Sequence, residues 1–357
     1  SSATNRSFYV GGSGARGDRC SWGGGFDPAR PRGRYRRAHA LKRILITRPM
    51  PKSVISAAHK FFDVEVRQKQ SPMSAAEMRA SLALYDAVIP TLGDLYAART
   101  FKDFSNPRCK ILANFGVGYN HIDIAAAQAA GICVSNTPGA VTAATADIAL
   151  MLILMSCRRA GEGERMVRAS HWEGWNPTQM LGQHVTGKTV GIIGMGRIGA
   201  AIARRCHFGF EMPVIYFNRS RKTIGMPARQ VGSLHELAAH ADVVVVATSG
   251  GAHSHHLIGA EVFEHMKPTA HLVNISRGDV IDESALITAL QSQQIAGAGL
   301  DVYEHEPEVP AALMQLEQVT LLPHLGTAAL EVREEMGRMA LANVLAFYQG
   351  QQPPNLI

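Results

Sequence analysis

The stretch that decides the fold is VGIIGMGRIGAAIARRC, residues 190–206, where a short apolar run leads into three spaced glycines. A strand before the glycines and an apolar-faced helix after them favour a dinucleotide-binding turn over a turn without a ligand. In such a turn the first glycine permits the bend, the second lets backbone approach phosphate, and the third lets the helix pack on the sheet. Free N–H groups and the helix dipole attract the pyrophosphate. The predicted cofactor-binding residues here are Gly194, Gly196, Arg197, Ile198 and Gly199.

The end of the next strand indicates which dinucleotide is bound. Rossmann domains that bind NAD usually carry an Asp or Glu there, on the ribose hydroxyls. This chain has Asn218 instead, followed by Arg219, Ser220 and Arg221. A carboxylate would repel a 2′-phosphate, whereas Arg and Ser donate hydrogen bonds to it, each charge-assisted bond worth roughly 1.5–3 kcal/mol. We expect NADP(H) as the preferred cofactor, with NAD as the alternative if these residues form only a solvated basic turn.

The remainder of the chain alternates apolar runs with helical periods, which is typical of parallel sheets covered on both faces. Two such series predict two doubly wound α/β domains. We expect a substrate-binding domain over residues 42–140 plus 325–357, and a Rossmann NAD(P)-binding domain over residues 141–324. One polar segment, from about residue 161 to residue 187, is assigned neither helix nor strand.

The positive charge of the chain is concentrated in its first 43 residues. The chain has 357 residues and a net charge of +7, but residues 1–43 hold nine Arg and one Lys against two Asp, so the rest is close to neutral. Residues 1–41 are rich in Gly, Arg, Pro and Ser, which predicts a disordered tail. An organelle leader, a nucleic-acid arm or an extension without function are the alternatives for it, and the last is favoured. We expect no nucleic-acid partner.

Several other classes are disfavoured by composition. No apolar run reaches the roughly 20 residues that a bilayer span requires, so no membrane partner is expected. The five cysteines include no CxxC pair, which argues against a disulfide framework and favours a cytoplasmic protein. A histidine cluster lies at His253, His255 and His256, but no carboxylate or cysteine lies near it in the chain, so no metal site is predicted.

Three segments at the ends of later strands carry groups suited to one reaction. They hold Arg277, then Asp301 and Glu306, then His324. Open α/β sheets bind ligands at this edge. An Arg can clamp a carboxylate with paired hydrogen bonds, and a His beside a Glu is oriented to exchange a proton. Carboxylate clamp, proton donor and hydride carrier together describe reduction of a small 2-oxo acid, although each residue alone has a structural explanation.

The motifs NFGVGYNHID, GKTVGIIGMGRIG, NISRGDVIDESAL, GAGLDVYEHEP and LLPHLGTA, in this order, resemble the D-isomer-specific 2-hydroxyacid dehydrogenases. The resemblance runs from about residue 43 to residue 357 and is nearest to the glyoxylate/hydroxypyruvate reductase branch. It implies that Arg277 binds the substrate carboxylate and carbonyl, that His324 is the general acid, and that Glu306 is its partner. It also implies that backbone N–H groups of Val117 and Gly118 hold the carboxylate.

The same resemblance implies further cofactor contacts and a partner chain. Asp301, with the backbone near Ile275, would orient the nicotinamide carboxamide, and Thr248 and Gly326 would touch the cofactor. The segment TSGGAHSHHLI that begins at Thr248 departs from the family's usual proline-containing loop. The segment holding Trp172 and Trp175 corresponds to a dimer arm, so a homodimer is expected.

Two other functions share this fold. Formate and phosphite dehydrogenases resemble the chain, but Glu306 argues against the formate type, in which a Gln accompanies the histidine. A dinucleotide-sensing corepressor-like scaffold, with the basic tail on nucleic acid, is an alternative of another class.

Overall fold

The structure, a computed structural model, describes residues 41–104 and 106–357. The predicted disordered tail falls on residues that lie outside the described ones, apart from its last residue. Within the described residues, no helix combines the length and apolar character needed to cross a bilayer.

The first sheet has five parallel strands in the order β2-β1-β3-β4-β5, the order of flavodoxin-like folds. Its strands are β1 Arg43–Ile46, β2 Asp63–Val66, β3 Ala87–Ile89, β4 Ile111–Ala113 and β5 Cys133–Ser135. The helices along this part of the chain are α1 Lys52–Ala58, α2 Ala75–Leu84, α3 Ala98–Phe101 and α4 Ile124–Ala129.

The second sheet has seven parallel strands in the order β12-β11-β10-β9-β6-β7-β8. Counted within this unit, its order contains the Rossmann arrangement 3-2-1-4-5-6 with one strand added beyond it. Its strands are β6 Val190–Ile193, β7 Val214–Phe217, β8 Arg229–Gln230, β9 Val243–Val246, β10 His271–Asn274, β11 Gly297–Leu300 and β12 Val319–Leu321. The remaining helices are α5 Thr142–Cys157, α6 Ala160–Arg168, α7 Arg197–Phe210, α8 Leu234–His240, α9 Ala260–His265, α10 Glu283–Gln291, α11 Ala311–Met314 and α12 Leu330–Tyr348, with a 3₁₀ turn at Gly278–Val280. Both expected doubly wound parallel sheets are confirmed.

Each sheet is buried on both faces, because successive residues of a strand point to opposite sides. In β1, Ile44 and Ile46 belong to one apolar cluster and Leu45 to the other. In β9, Val243 and Val245 face one cluster, and Val244 faces the opposite one. This explains why the strands read as continuous apolar runs rather than as alternating ones.

Two long helices, α5 and α12, pack against the two sheets. The helix α5 packs on the second sheet, where a Cβ at Gly299 would lie 3.0 Å from Leu152. The helix α12 returns to the first sheet, with Ala340, Leu341 and Val344 in the cluster of β1. On this packing we propose the division expected from the sequence, residues 42–140 with 325–357 and residues 141–324.

Among the elements that were not predicted are α6 and β8. The helix α6 begins directly after Arg159, whose left-handed backbone (φ 54°) separates it from α5. Four of its nine residues are charged, and ion pairs such as Arg159 with Glu162 at 2.6 Å stabilise it. The two-residue strand β8 lies at the sheet edge. The helix α6 buries no side chain and β8 has only two residues, so neither contains the apolar run that predicts an element.

Candidate active site

The parallel register of three neighbouring strands brings the predicted site residues to one edge. Asn274 of β10 lies beside Leu300 of β11, and Leu300 lies beside Leu321 of β12. Arg277 follows β10 within three residues, and His324 follows β12 within three residues. Side chains far apart in the chain therefore emerge side by side at the carboxyl ends of the strands.

His324 and Glu306 form a direct pair. The His324 Nδ1 atom lies 2.8 Å from Glu306 Oε2, and both side chains are about 30 % exposed. Glu306 Oε1 also accepts the Tyr303 N–H at 3.1 Å. Burial alone would raise the pKa of Glu306, but the hydrogen bond and charge of His324, with the Tyr303 N–H and the Arg277 charge, hold that pKa below its usual value. Glu306 is thus an ionised acceptor that orients the imidazole.

Asp301 holds the backbone that follows His324. Its Oδ1 accepts the Leu325 N–H at 2.6 Å and its Oδ2 accepts the Gly326 N–H at 2.8 Å. The residue is 1 % exposed, and burial raises the pKa of its carboxyl despite these bonds and the nearby His324 charge. Asp301 was expected to bind the cofactor, and its contact with the backbone after His324, which fixes the position of His324, was not predicted.

Arg277 lies against the loop after β4. A Cβ built on Gly118 would lie 1.8 Å from Arg277 Nη2, so only glycine leaves room for this guanidinium. On its other side, a Cβ on Gly250 would lie 2.8 Å from Arg277 Cγ and 3.0 Å from Asn120 Nδ2. Burial lowers the pKa of Arg277, which stays a cation at any physiological pH. The side chain is therefore held between the two halves of the protein.

Two asparagines shape the Val117–Gly118 loop. The fully buried Asn114 donates from Nδ2 to the carbonyls of Gly116 and Gly118, each at 3.0 Å, and Asn136 donates to the carbonyl of Val117 at 2.9 Å. The N–H groups of Val117 and Gly118 donate to no atom within the described part of the chain. The loop therefore presents free donors beside a cation, which suits a carboxylate.

Sequence reasoning assigned no role to the residues that support this loop. Asn114 Oδ1 accepts a hydrogen bond from His121 Nε2 at 2.9 Å. Burial, with a smaller effect of the Arg277 charge, lowers the pKa of His121 to about 4, so this imidazole is neutral and donates. The motif NFGVGYNHID contains both residues, but the contact depends on the folded loop.

The glycines of the second unit form a cradle that fits a dinucleotide. Gly194 has φ 95°, and a Cβ on it would lie 2.6 Å from the Thr248 backbone; a Cβ on Gly199 would lie 2.1 Å from the Gly194 carbonyl. Gly196, in contrast, faces open space and caps α7 without a side-chain hydrogen bond. The first N–H groups of the 14-residue helix α7 thus face a space that no side chain fills, which suits a pyrophosphate.

The other predicted cofactor residues lie around this cradle. Asn218 Oδ1 accepts the Met195 N–H at 3.2 Å, so Asn218 joins the glycine turn to the end of β7. Arg219 and Arg221 are exposed and form no ion pair with any residue of 41–104 or 106–357. Ile275, at the end of β10, is 7 % exposed. The structure groups these positions at one edge of the sheet.

The comparisons with known proteins agree with this architecture. Residues 150–326 match the model described as the D-isomer specific 2-hydroxyacid dehydrogenase, NAD binding domain. A glyoxylate reductase of Thermococcus onnurineus is 40% identical over 323 residues, which cover 88% of this chain and 95% of the relative. This chain belongs to the D-isomer-specific 2-hydroxyacid dehydrogenase family. It is therefore an enzyme of the dehydrogenase class with an NAD-binding domain.

Solved structures of family members extend the likeness over both sheets. A D-2-hydroxyacid dehydrogenase from Polaromonas is 34% identical with a TM-score of 0.83, covering 89% of this chain and 99% of that one. An NADPH-dependent glyoxylate/hydroxypyruvate reductase of Sinorhizobium meliloti, solved with NADP and malonate, is 32% identical with a TM-score of 0.79, covering 89% and 97%. The resemblance expected from the motifs is confirmed at the level of the family.

Proposed function

We propose that this chain reduces the small 2-oxo acids glyoxylate and hydroxypyruvate to D-2-hydroxy acids with NADPH. The observation that carries the proposal is a chain of neighbours: Arg277 lies against Gly118, its charge acts on Glu306, and Glu306 holds His324. A proton donor then lies near a cation suited to a carboxylate, and the loop of Thr248 and Gly250 joins that cation to the glycine turn, as reduction of a 2-oxo acid requires.

The anchoring step depends on the substrate-side loop. The Arg277 guanidinium and the free N–H groups of Val117 and Gly118 hold the carboxylate of the oxo acid. Charge-assisted hydrogen bonds of this kind fix orientation as well as affinity. The proposed reaction requires this anchor to bring the C2 carbonyl within reach of His324.

The proton comes from His324. Its Nδ1 faces Glu306, so Nε2 is the ring nitrogen left to donate a proton to the oxygen on C2. When bound, the reduced nicotinamide supplies the hydride to C2. The ionised Glu306 stabilises the protonated imidazole before transfer and keeps its ring in position. Such positioned acid catalysis contributes roughly 10²- to 10⁴-fold to the rate.

The preference for NADP(H) rests on the end of β7. Asn218 bonds to the glycine turn rather than presenting a carboxylate, and Arg219 and Arg221 are exposed without an ion-pair partner among the described residues. These cations are available to a 2′-phosphate. The Sinorhizobium relative is named as NADPH-dependent, which supports the same choice.

A substrate and cofactor panel tests the proposal. Purified enzyme is assayed spectrophotometrically with glyoxylate, hydroxypyruvate, pyruvate and phenylpyruvate, each with NADPH and with NADH. We expect the highest kcat/KM with glyoxylate or hydroxypyruvate and NADPH. A strong preference for NADH would overturn the cofactor assignment, and no turnover of any 2-oxo acid would overturn the reaction.

We further propose a cytoplasmic homodimer. The segment that resembles a dimer arm is exposed in the single chain, with Trp172 54 % and Trp175 80 % accessible. Aromatic residues at such exposure are typical of a surface that a second copy covers.

A further inference from the structure

The loop after β9 meets the segment after β11 in a cluster of ligand-type side chains. His255 and His256 come from the first and Glu304 comes from the second. His256 Nε2 lies 2.7 Å from Glu304 Oε1, and the potential ligand atoms of all three residues lie within 4.8 Å of one another. No metal site was predicted here because no carboxylate lies near the histidines in the chain. The fold brings in Glu304, which is 48 residues beyond His256.

The two histidines are placed together by the backbone. Their rings stack with centroids 4.0 Å apart. His256 adopts the left-handed backbone (φ 48°), which is unfavourable for a residue with a side chain, and its N–H bonds the Asp279 carbonyl at 2.8 Å. The loop thus holds both imidazoles toward Glu304 at the cost of local strain.

The cluster has suitable access and suitable chemistry for a metal ion. His255 is exposed, and the side chains of His256 and Glu304 are 37 % and 16 % exposed. Two imidazole nitrogens and one carboxylate oxygen are ligands that zinc accepts, with water in the fourth position. Bonds of about 2.1 Å place tetrahedral ligands about 3.4 Å apart, so the side chains must rotate to bring the three ligand atoms closer when an ion binds.

We propose that His255, His256 and Glu304 form a surface site for a divalent transition metal of the zinc type. The ion joins the loop of residues 249–257 to the segment of residues 301–306. It lies outside the proposed reaction, because neither histidine is part of the acid pair or the carboxylate anchor. It reaches the proposed active site indirectly, through Gly250, which lies against Arg277, and through Glu306, two residues beyond Glu304.

A second stacked histidine pair provides a matched control. His235 and His265 have ring centroids 4.2 Å apart, but no acid or cysteine completes a three-ligand group around them in the described residues. Substitution in this pair removes a surface imidazole without touching the proposed site.

The experiment is calorimetric titration of Zn²⁺ into the metal-free full chain and its variants. We expect His255→Gln and Glu304→Gln each to weaken binding by at least 10-fold, because each removes one of three ligands, and His235→Gln to bind as the parent does. Thermal unfolding of the parent, but not of Glu304→Gln, should shift upward with Zn²⁺ at concentrations above Kd.

Equal binding by the parent and Glu304→Gln, an equal loss in His235→Gln, or no binding by the parent would each overturn the proposal. Glu304→Gln retains a hydrogen-bond acceptor for His256, so loss of folding is not the expected cause of a weaker signal. These readouts do not use turnover, so they are independent of the proposed reductase activity.

Discussion

His324 and Glu306, 18 residues apart in the chain, share a 2.8 Å hydrogen bond between the ends of two neighbouring strands. Only one nitrogen of the imidazole is then left to act on a substrate. The carboxylate that orients it stays ionised, because the hydrogen bond and charge of the histidine outweigh the effect of burial on its pKa. The pair therefore has the geometry of an oriented proton donor.

Replacing His324 by Gln removes the proton donor and should lower kcat by roughly 10²- to 10⁴-fold. The dissociation constant for NADPH, measured by fluorescence titration, should change little, because the imidazole acts on the oxo acid. The exposed His59, at the end of α1 and outside the proposed site, provides the control as His59→Gln. Normal turnover by His324→Gln would show that another group donates the proton.

Gly118→Ala should impair binding of the oxo acid without unfolding the protein. The added Cβ would meet Arg277 Nη2 at 1.8 Å, and the flexible end of this side chain can move away. We expect KM for the oxo acid to rise by about 10-fold or more, as the loss of one charge-assisted bond of roughly 1.5–3 kcal/mol implies. Gly209→Ala, where a Cβ meets nothing within 4 Å, should keep the parent KM. An unchanged KM in Gly118→Ala would show that Arg277 does not bind the oxo acid.

The double variant Asn218→Asp, Arg219→Ala should shift the cofactor preference toward NADH. A carboxylate at the end of β7 repels a 2′-phosphate, and the lost guanidinium removes a charge-assisted bond. The ratio of kcat/KM for NADPH to that for NADH should fall by about 10-fold or more. The exposed Arg99→Ala should leave this ratio unaltered. If the double variant keeps the parent ratio, the 2′-phosphate is bound elsewhere or the enzyme does not discriminate through this turn.

The buried His271 should make stability depend on pH. Its Nδ1 lies 2.7 Å from Ser156 Oγ, and burial lowers its pKa to about 4. The unfolded chain binds a proton here near pH 6.5 and the folded chain only near pH 4, so stability falls as pH falls from 6.5 toward 4. Between pH 7 and pH 5 this residue should account for about 2 kcal/mol of lost unfolding free energy.

Urea unfolding of the parent and of His271→Gln at both pH values measures this contribution. The variant should lose about 2 kcal/mol less than the parent on acidification. Equal losses in the two proteins would mean that His271 does not titrate between the folded and unfolded states as its burial implies.

The sequence allowed both sheets and the grouping of Arg277, Glu306 and His324 at one sheet edge to be predicted, because apolar strands and the motifs at their ends are local signals. The helix α6 was missed because charged residues cover it and ion pairs rather than an apolar face stabilise it. The support of the substrate loop by Asn114 and His121 was missed for a different reason. Polar side chains that meet only after folding leave no repeating pattern in the sequence that could predict their contact. The contact of His256 with Glu304 was missed for the same reason.

The bonds of Asp301 to Leu325 and Gly326 have a mechanical consequence. The Gly326 carbonyl also accepts a hydrogen bond from Thr145 Oγ1 at 3.1 Å. The two segments that cross between the sheets, one at Thr145 and one at Gly326, are therefore hydrogen-bonded to each other next to the His324 imidazole. If the two sheets move toward each other around a ligand, we expect them to pivot near these hydrogen bonds. His324 and Arg277 then both stay with the nucleotide-side sheet, and the Val117–Gly118 loop of the opposite half closes onto them.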